Sequence, residues 1–541
     1  MSGEREALVL EVLRTDVVVI GAGLAALSSS AAARRSGSHV LLVCEPRAAS
    51  ASALSGGGFR APADGYPPEQ FFLDIVSCGG LLSQRSLAKA MATDAGIVRP
   101  FLEEAGLKVS DGARPGLFRV DSGSEPPGEA LVAAVSRLVQ DAGVETVPGL
   151  GWELLLDAGG AVIGFLAYDA ARAEWFVVEA PSVVLATGGA AGVYLRTDNS
   201  PDASGDGMAM AFRAGAVLAD MEFVQFWPVC RLSDGTCECL QPSSLAGSSL
   251  EAGDGKNVTA EVNLPGLTAG TASSSQSARL IYERIGLGPD GAGEEIPLRL
   301  SSAGGSEAGS GARSEETPTG DVVPAAHHTM GGVVCGDHGQ TRVPGLFVAG
   351  EVAAGMHGAE RLSGTGLTEA VVTGHRAGTL AAGMASRGSG GSAGSDALSR
   401  AARDAVGRTV AQLESGADHP TPADAALRIR RAMWHSAALV RTRESLDTAQ
   451  SELNKIKRAM PLAVDTSDGP DVRAGLKTLN LLLVAEAIAR SARYRRESRG
   501  VHYRRDYPER DDAEWLRHVR VRLLSGEISL DISQGLELME P

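Results

Sequence analysis

The stretch Asp16-Val-Val-Val-Ile-Gly21-Ala-Gly23-Leu-Ala-Ala26 decides the fold. Its apolar run from Val17 to Ile20 is what a strand buried on both faces of a parallel sheet requires. A glycine turn follows, and small residues from Leu24 to about Ser36 predict a helix closed by Gly37. His39 to Cys44 is apolar again and predicts the next strand. A G-x-G-x-x-A pattern between strand and helix is the arrangement a dinucleotide site needs. Gly21 permits the tight turn, Gly23 lets backbone approach a pyrophosphate, and Ala26 lets helix and strand pack closely. The helix N-terminus offers free N–H groups and a positive dipole end to the phosphates. Glu45, ending the second strand, is placed to accept from a ribose hydroxyl. The expected body is α/β, with a Rossmann-like nucleotide-binding domain.

Two more strand-to-glycine segments lie further along. They are Val183-Val-Leu-Ala186-Thr187-Gly188-Gly189 and Pro344-Gly-Leu-Phe-Val-Ala-Gly350-Glu351. Turns so far apart in sequence suit a long cofactor crossing several loops, which favours FAD over NAD.

The rest of the composition sets bounds. The chain has 541 residues, 44% of them apolar, so it can bury a large core and is not globally disordered. Its net charge of −16 argues against a nucleic-acid or anionic-membrane binder, though not against a small anionic substrate held by a few local cations. The six cysteines form no CxxC pair, and Cys237-Glu-Cys239 is too tight for usual ligand spacing, so no metal site is expected. No apolar run is long enough to span a bilayer and no signal peptide is visible, so a cytoplasmic setting is expected. Ser301–Gly320 is low-complexity, and Ser386–Ser395 reads as a flexible linker. Beyond it, 397–415, 423–460 and 472–498 carry helical apolar spacing. The Arg-rich stretch 490–499 and Tyr503-Arg504-Arg505 are expected to pair with acidic groups.

Several runs together resemble the flavoprotein family of L-aspartate oxidase and the flavin subunits of succinate dehydrogenase and fumarate reductase. They are ATGG at 186–189, SGDGMAMAFRAGAVLADMEFVQFWP at 204–228, PAAHHTMGG at 324–332, GLFVAGEVAAGMHGAERLSGTGLTEAVVTG at 345–374, MWHSAALVRT at 433–442 and ESRGVHYRRDYP at 497–508. They span nearly the whole chain. MW with VRT and the ESRG tail look closest to aspartate oxidase, whereas GAERLSGTGLTEA looks closer to fumarate reductase.

The resemblance implies an FAD-binding domain (1–228 and 330–385), an inserted capping domain (229–329), the linker (386–395) and a C-terminal helical bundle (396–541). It implies cofactor contacts at Gly21, Gly23, Ala26, Glu45, Ser52, Gly57, Gly58, Ala186, Thr187, Gly188, Gly189, Asp206, Gly350, Glu351 and Leu367. Ala51 stands where several relatives carry the histidine that bonds FAD covalently, so non-covalent FAD is expected. His327 and Arg361 resemble ligands of substrate carboxylates, Arg279 resembles the catalytic arginine, and His357 lies close to the flavin strand. An arginine fork matches a carboxylate bidentately. His328, where the family more often has tyrosine, reads as structural.

Three departures bear on the substrate. Trp227 replaces the histidine of the family's EFVQFHP, leaving one indole N–H and an apolar face among the substrate contacts. The aspartate oxidase loop with an acid for the substrate ammonium has little room, and Asp111, Asp121 and Glu125 are loose candidates. The cap, 229–323, lacks the family's EGG-type loop. The leading expectation is an FAD-dependent oxidase or dehydrogenase of L-aspartate or a related, including N-substituted, amino dicarboxylate. Hydride passes to flavin N5, an imine forms, and O2 or fumarate is the acceptor. Alternatives are a fumarate reductase-like desaturase and a flavin-binding protein that has lost catalysis. Oligomeric state is left open.

Overall fold

The computed structural model describes residues 10–45, 50–112, 114–233, 236–265, 274–286, 295–301, 319–387, 395–413 and 419–536. Most of the low-complexity stretch and of the linker lies outside them.

At the centre is a five-stranded parallel sheet. Its order is Leu346–Val348, Ser182–Leu185, Val17–Ile20, Val40–Cys44, Glu145–Pro148. Residues of these strands alternate between two cores. Val17, Val19, Val40, Leu42 and Val184 face the helices Leu24–Arg35 and Thr365–Ser386. Val18, Ile20, Leu41, Val43 and Val183 face the opposite core, which continues into the C-terminal helices. Burial on both faces explains why Val17–Ile20, Val40–Cys44 and Ser182–Leu185 read as apolar runs; the edge strand Glu145–Pro148 is largely exposed and does not. Helices Leu24–Arg35 and Thr365–Ser386 pack very closely: a Cβ on Gly378 would lie 2.2 Å from the Ser29 carbonyl oxygen.

The cap carries a five-stranded antiparallel sheet, in the order Thr236–Cys239, Val224–Ser233, Gly320–Thr329, Leu298–Ser301, Ser249–Glu251. Helix Ser274–Arg284 packs on its two longest strands.

The C-terminal region holds helices Ser395–Val410, Pro422–Ala437, Arg443–Arg458 and Gly469–Tyr494. The apolar pattern over 423–460 predicts one helix; the structure has two. Thr442 starts the second as a reciprocal N-cap, accepting from Ser445 N at 3.1 Å while Ser445 Oγ accepts from Thr442 N at 3.0 Å. The described residues do not end in helix. A hairpin, His518–Leu524 and Glu527–Ser533, adds to the short strand Leu218–Ala219 of the nucleotide-binding body. The basic stretches are largely consumed in ion pairs. Arg495 meets Glu222 at 2.6 Å and Glu497 at 2.9 Å, and Arg504 meets Asp506 at 2.7 Å. Among the described residues no helix is long and apolar enough to cross a membrane.

Candidate active site

A cleft of about 1030 Å3 opens along the carboxyl ends of the parallel strands, where α/β sheets bind ligands. It is lined by Gly21 to Ala25, Val43 to Glu45, Ser50 to Ser52, Gly149 to Gly151, Ala186 to Gly189, and by Asp206, Glu351 and Lys477. Gly21 has φ +138°, and a Cβ there would sit 2.2 Å from the Ala186 carbonyl oxygen. Only glycine lets these two loops touch. The helix after Gly23 lacks a side-chain cap of its own. Ser52 Oγ accepts from Leu24 N at 3.1 Å, so this hydroxyl stands at the helix's phosphate-attracting end. The cradle therefore fits a dinucleotide.

Of the expected cofactor residues, Gly21, Gly23, Glu45, Ser52, Ala186, Thr187, Gly188, Gly189, Asp206 and Glu351 line the cleft. The others stand behind it. Ala26 is a buried residue of the helix Leu24–Arg35 itself. Gly350 abuts Ala25, whose Cβ would be 2.8 Å from an added one. Gly57 and Gly58 lead into the strand Gly58–Arg60, and Leu367 is buried in the first turn of the helix Thr365–Ser386.

Glu45 is not free to serve a ribose alone. Lys477 Nζ lies 2.7 Å from Glu45 Oε2 and 2.8 Å from Asp206 Oδ2, and Arg473 pairs with both Glu45 and Asp202. The two cations stand on the helix Gly469–Tyr494, more than 400 residues along the chain from Glu45, so sequence spacing could not reveal the pairing. Both carboxylates hold the Lys477 proton above the usual lysine range, despite burial.

Where the cleft ends, a second group of polar side chains begins. Glu351 belongs to both. Its Oε1 accepts from Thr329 N at 2.8 Å, and its Oε2 lies 3.6 Å from His328 Nδ1. His328 faces His357 at 5.4 Å between ring centroids, and His357 Nε2 is 3.0 Å from Glu369 Oε2. Arg361 is buried nearby, its backbone carbonyl accepting from Gln225 Nε2 at 3.2 Å. Burial pushes the Glu351 carboxyl up to about 8, with Glu369 adding to the rise and Arg361 opposing it. Burial, then Arg361 and His357, push His328 well below the ordinary histidine range, so its ring is neutral. Four buried polar atoms here have no hydrogen-bond partner among the described residues: Arg361 Nε, His328 Nε2, His357 Nδ1 and Gln225 Oε1. Buried polar atoms left unmet cost about 1–3 kcal/mol each, and their convergence on one place fits a polar ligand. Sequence alone does not single out Gln225 and Glu369, although both lie within the runs that carry the family resemblance.

His327 points elsewhere than His328, as successive strand residues must. Its Nδ1 lies 2.6 Å from Asp198 Oδ2, and its ring packs on Trp227 at 5.1 Å. The Trp227 indole N–H donates to the Leu240 carbonyl at 2.9 Å, so only the apolar face of this side chain is left for a ligand. Arg279 lies over the Tyr503 ring at 4.0 Å and lines a separate cavity with Phe226, Ser275 and Val501. The structure brings His328, His357 and Arg361 together, with His327 on the adjoining strand face, and leaves Arg279 outside the group. Asp111, Asp121 and Glu125 are all exposed, Asp111 pairing with Arg99.

Comparison with known proteins covers nearly the whole chain. The family profile described as FAD binding domain matches residues 16–367, and that described as fumarate reductase flavoprotein C-term matches 426–534. The chain is 30% identical to an L-aspartate oxidase of Streptomyces coelicolor, over 94% of this chain and 92% of that one. It is 29% identical to a fumarate reductase (CoM/CoB) subunit of Methanothermobacter marburgensis, over 94% and 97%. Among solved structures it is similar to the quinol fumarate reductase of E. coli, with a TM-score of 0.84 at 23% identity, covering 98% of each chain. It is also similar to the Sdh1 complex of Mycobacterium smegmatis, with a TM-score of 0.82 at 25% identity, covering 98% and 96%.

Proposed function

The chain belongs to the flavoprotein family of L-aspartate oxidases and fumarate reductases, and from that premise we propose that it oxidises L-aspartate or a close, N-substituted amino dicarboxylate relative. It is an FAD-dependent oxidoreductase. FAD, when bound, supplies a two-electron hydride acceptor at N5. Everything else falls to the chain's own side chains.

The observation that carries the substrate reading is the convergence of unpartnered buried atoms at the end of the cofactor cleft. Arg361 offers an unmet guanidinium N–H in a dry site, where a carboxylate gains most from a charge-assisted bond. His357, anchored by Glu369, and neutral His328 flank it and orient the bound acid. His327 stands by the second carboxylate, and the Trp227 face beside it offers an apolar substituent a surface to pack on. Loss of hydride from the carbon bearing nitrogen, together with one proton from that nitrogen to solvent, leaves an imine, which water hydrolyses. O2 or fumarate is the proposed final acceptor.

Ala51 lines the cleft, and no histidine is among the described residues around it, which supports non-covalent FAD. Acid precipitation is therefore expected to leave all the flavin in the supernatant; flavin retained in the pellet contradicts this.

The substrate is tested by anaerobic mixing with L-aspartate, N-substituted aspartates and succinate. Rapid loss of the flavin's visible colour with an amino dicarboxylate, and none with succinate, is the expected result. One observation favours a fumarate reductase-like desaturase instead: the three acidic candidates for an ammonium partner are all exposed. Reoxidation of the reduced protein by fumarate, with no bleaching by any amino acid, would establish that second reading and overturn the first.

A further inference from the structure

Three metal-ligating side chains, distant in sequence, meet where the cap sheet touches the nucleotide-binding body. His327 Nδ1 and Cys239 Sγ each lie 2.6 Å from the same oxygen, Asp198 Oδ2. All three ligand atoms are within 4.8 Å of one another. Cys239 ends one cap strand, His327 stands on another, and Asp198 comes from the loop beyond the Ala186–Gly189 turn. That loop is tied to the second strand, Thr197 Oγ1 donating to the Ala326 carbonyl and Asn199 Nδ2 to that of His327, both at 2.8 Å. The His327 side chain keeps 27% of its exposure, so an ion has a way in.

We propose that Asp198, Cys239 and His327 form a three-ligand site for a zinc-class divalent cation. Thiolate, imidazole and carboxylate together suit zinc, whereas magnesium and calcium seek oxygen-only shells. Three protein ligands with a fourth position open is the arrangement of zinc sites that take an outside ligand. The charges balance, because a divalent cation with one thiolate and one carboxylate is neutral and its burial costs little. The protons balance too. Without metal, the Cys239 S–H and the His327 Nδ1–H both donate to the Asp198 carboxylate, which only accepts when ionised. Metal binding sends the thiol proton to solvent and shifts the ring proton from Nδ1 to Nε2. No electron moves. Bonds of ~2.0–2.3 Å set tetrahedral edges of roughly 3.3–3.7 Å, so the ligands spread by about an ångström to admit the ion.

One consequence rests on the substrate reading above. A neutral His327 donating from Nδ1 presents a lone pair at Nε2, which repels a carboxylate. With Nδ1 on the metal, Nε2 carries the proton and donates. The cation thus turns the outward side of His327 into a carboxylate-binding group.

The test uses full-length, flavin-loaded protein, stripped by a chelator and equilibrated with one equivalent of Zn2+. The expected result is one bound zinc per chain, with X-ray absorption showing a single sulfur near ~2.3 Å and N/O neighbours at ~2.0–2.1 Å. Cys239→Ser and Asp198→Asn should each weaken zinc binding at least about tenfold. Cys237→Ser, whose thiol is not one of the three, should leave it unchanged. Zinc not retained, a shell without sulfur, or Cys239→Ser binding like the parent overturns the proposal. If Cys239→Ser does not fold, the sulfur signal and Asp198→Asn decide. Zinc is measured with no substrate present, so a failed bleaching panel with zinc bound sinks only the substrate reading.

Discussion

Glu351 shows what burial does to one side chain. In the folded protein its carboxyl holds a proton up to about pH 8, against an ordinary value of 4.5. Between those values the folded state carries the proton and the unfolded chain does not, so stability falls as pH rises through that window and levels off above it. Thermal denaturation of flavin-free protein from pH 4.5 to 9 should show this fall, and Glu351→Gln should flatten it. Arg361 makes a second prediction. Arg361→Ala should lower kcat/KM by about 10^2- to 10^3-fold while flavin content stays at parent level, because in the proposed reading the guanidinium serves substrate and not cofactor. A comparable loss of flavin would contradict that division. Single residues also mark how far sequence carries. Gly21 was readable because the G-x-G-x-x-A pattern that carries it is local, although the loop it lets approach, at Ala186, is not. Arg361 and His357 stand in a long specific run that sequence can recognise. Asp198 was not, since its carboxylate gains meaning only from His327 and Cys239, brought beside it by strands formed far along the chain. Arg279 stands apart from the buried group, its guanidinium resting on Tyr503, a placement only the fold shows.

Among elements, the contact between helices Leu24–Arg35 and Thr365–Ser386 is the one on which the cofactor turn leans. Gly378→Ala forces a methyl to within 2.2 Å of the Ser29 carbonyl oxygen and must push the helices apart. Overpacking of this kind costs about 1–3 kcal/mol, and flavin should be held more weakly as well. Gly383, on the same helix, faces open space. Gly383→Ala should stabilise by about 0.5–1 kcal/mol. Paired denaturant melts check both signs, and equal effects at the two sites would refute the packing account. The central strands were legible because burial on both faces leaves an unbroken apolar run. The break between the two helices spanning 422–458 was not, because apolar spacing runs on through residues that a Thr442–Ser445 cap interrupts. The closing hairpin was missed too, since its first strand interleaves arginines with apolar residues and its partner strand is two residues long.

At the scale of the whole molecule, the C-terminal helices do not merely follow the nucleotide-binding body; they complete its cleft. Lys477, 11% exposed, bridges Glu45 and Asp206. Lys477→Ala leaves two shielded carboxylates underpaired and should cost about 3–5 kcal/mol, seen as a lower melting point and faster flavin loss on dialysis. Adding Asp206→Asn should recover part of that loss, because one stranded charge is removed. No recovery would place the cost elsewhere. The same bridge has a consequence for how the protein is made. Gly21 leaves the ribosome more than 400 residues before Lys477, with Glu351 between them. A nascent chain therefore carries the glycine turn long before it owns a finished cleft, and tight capture of the cofactor waits until Lys477 has been made.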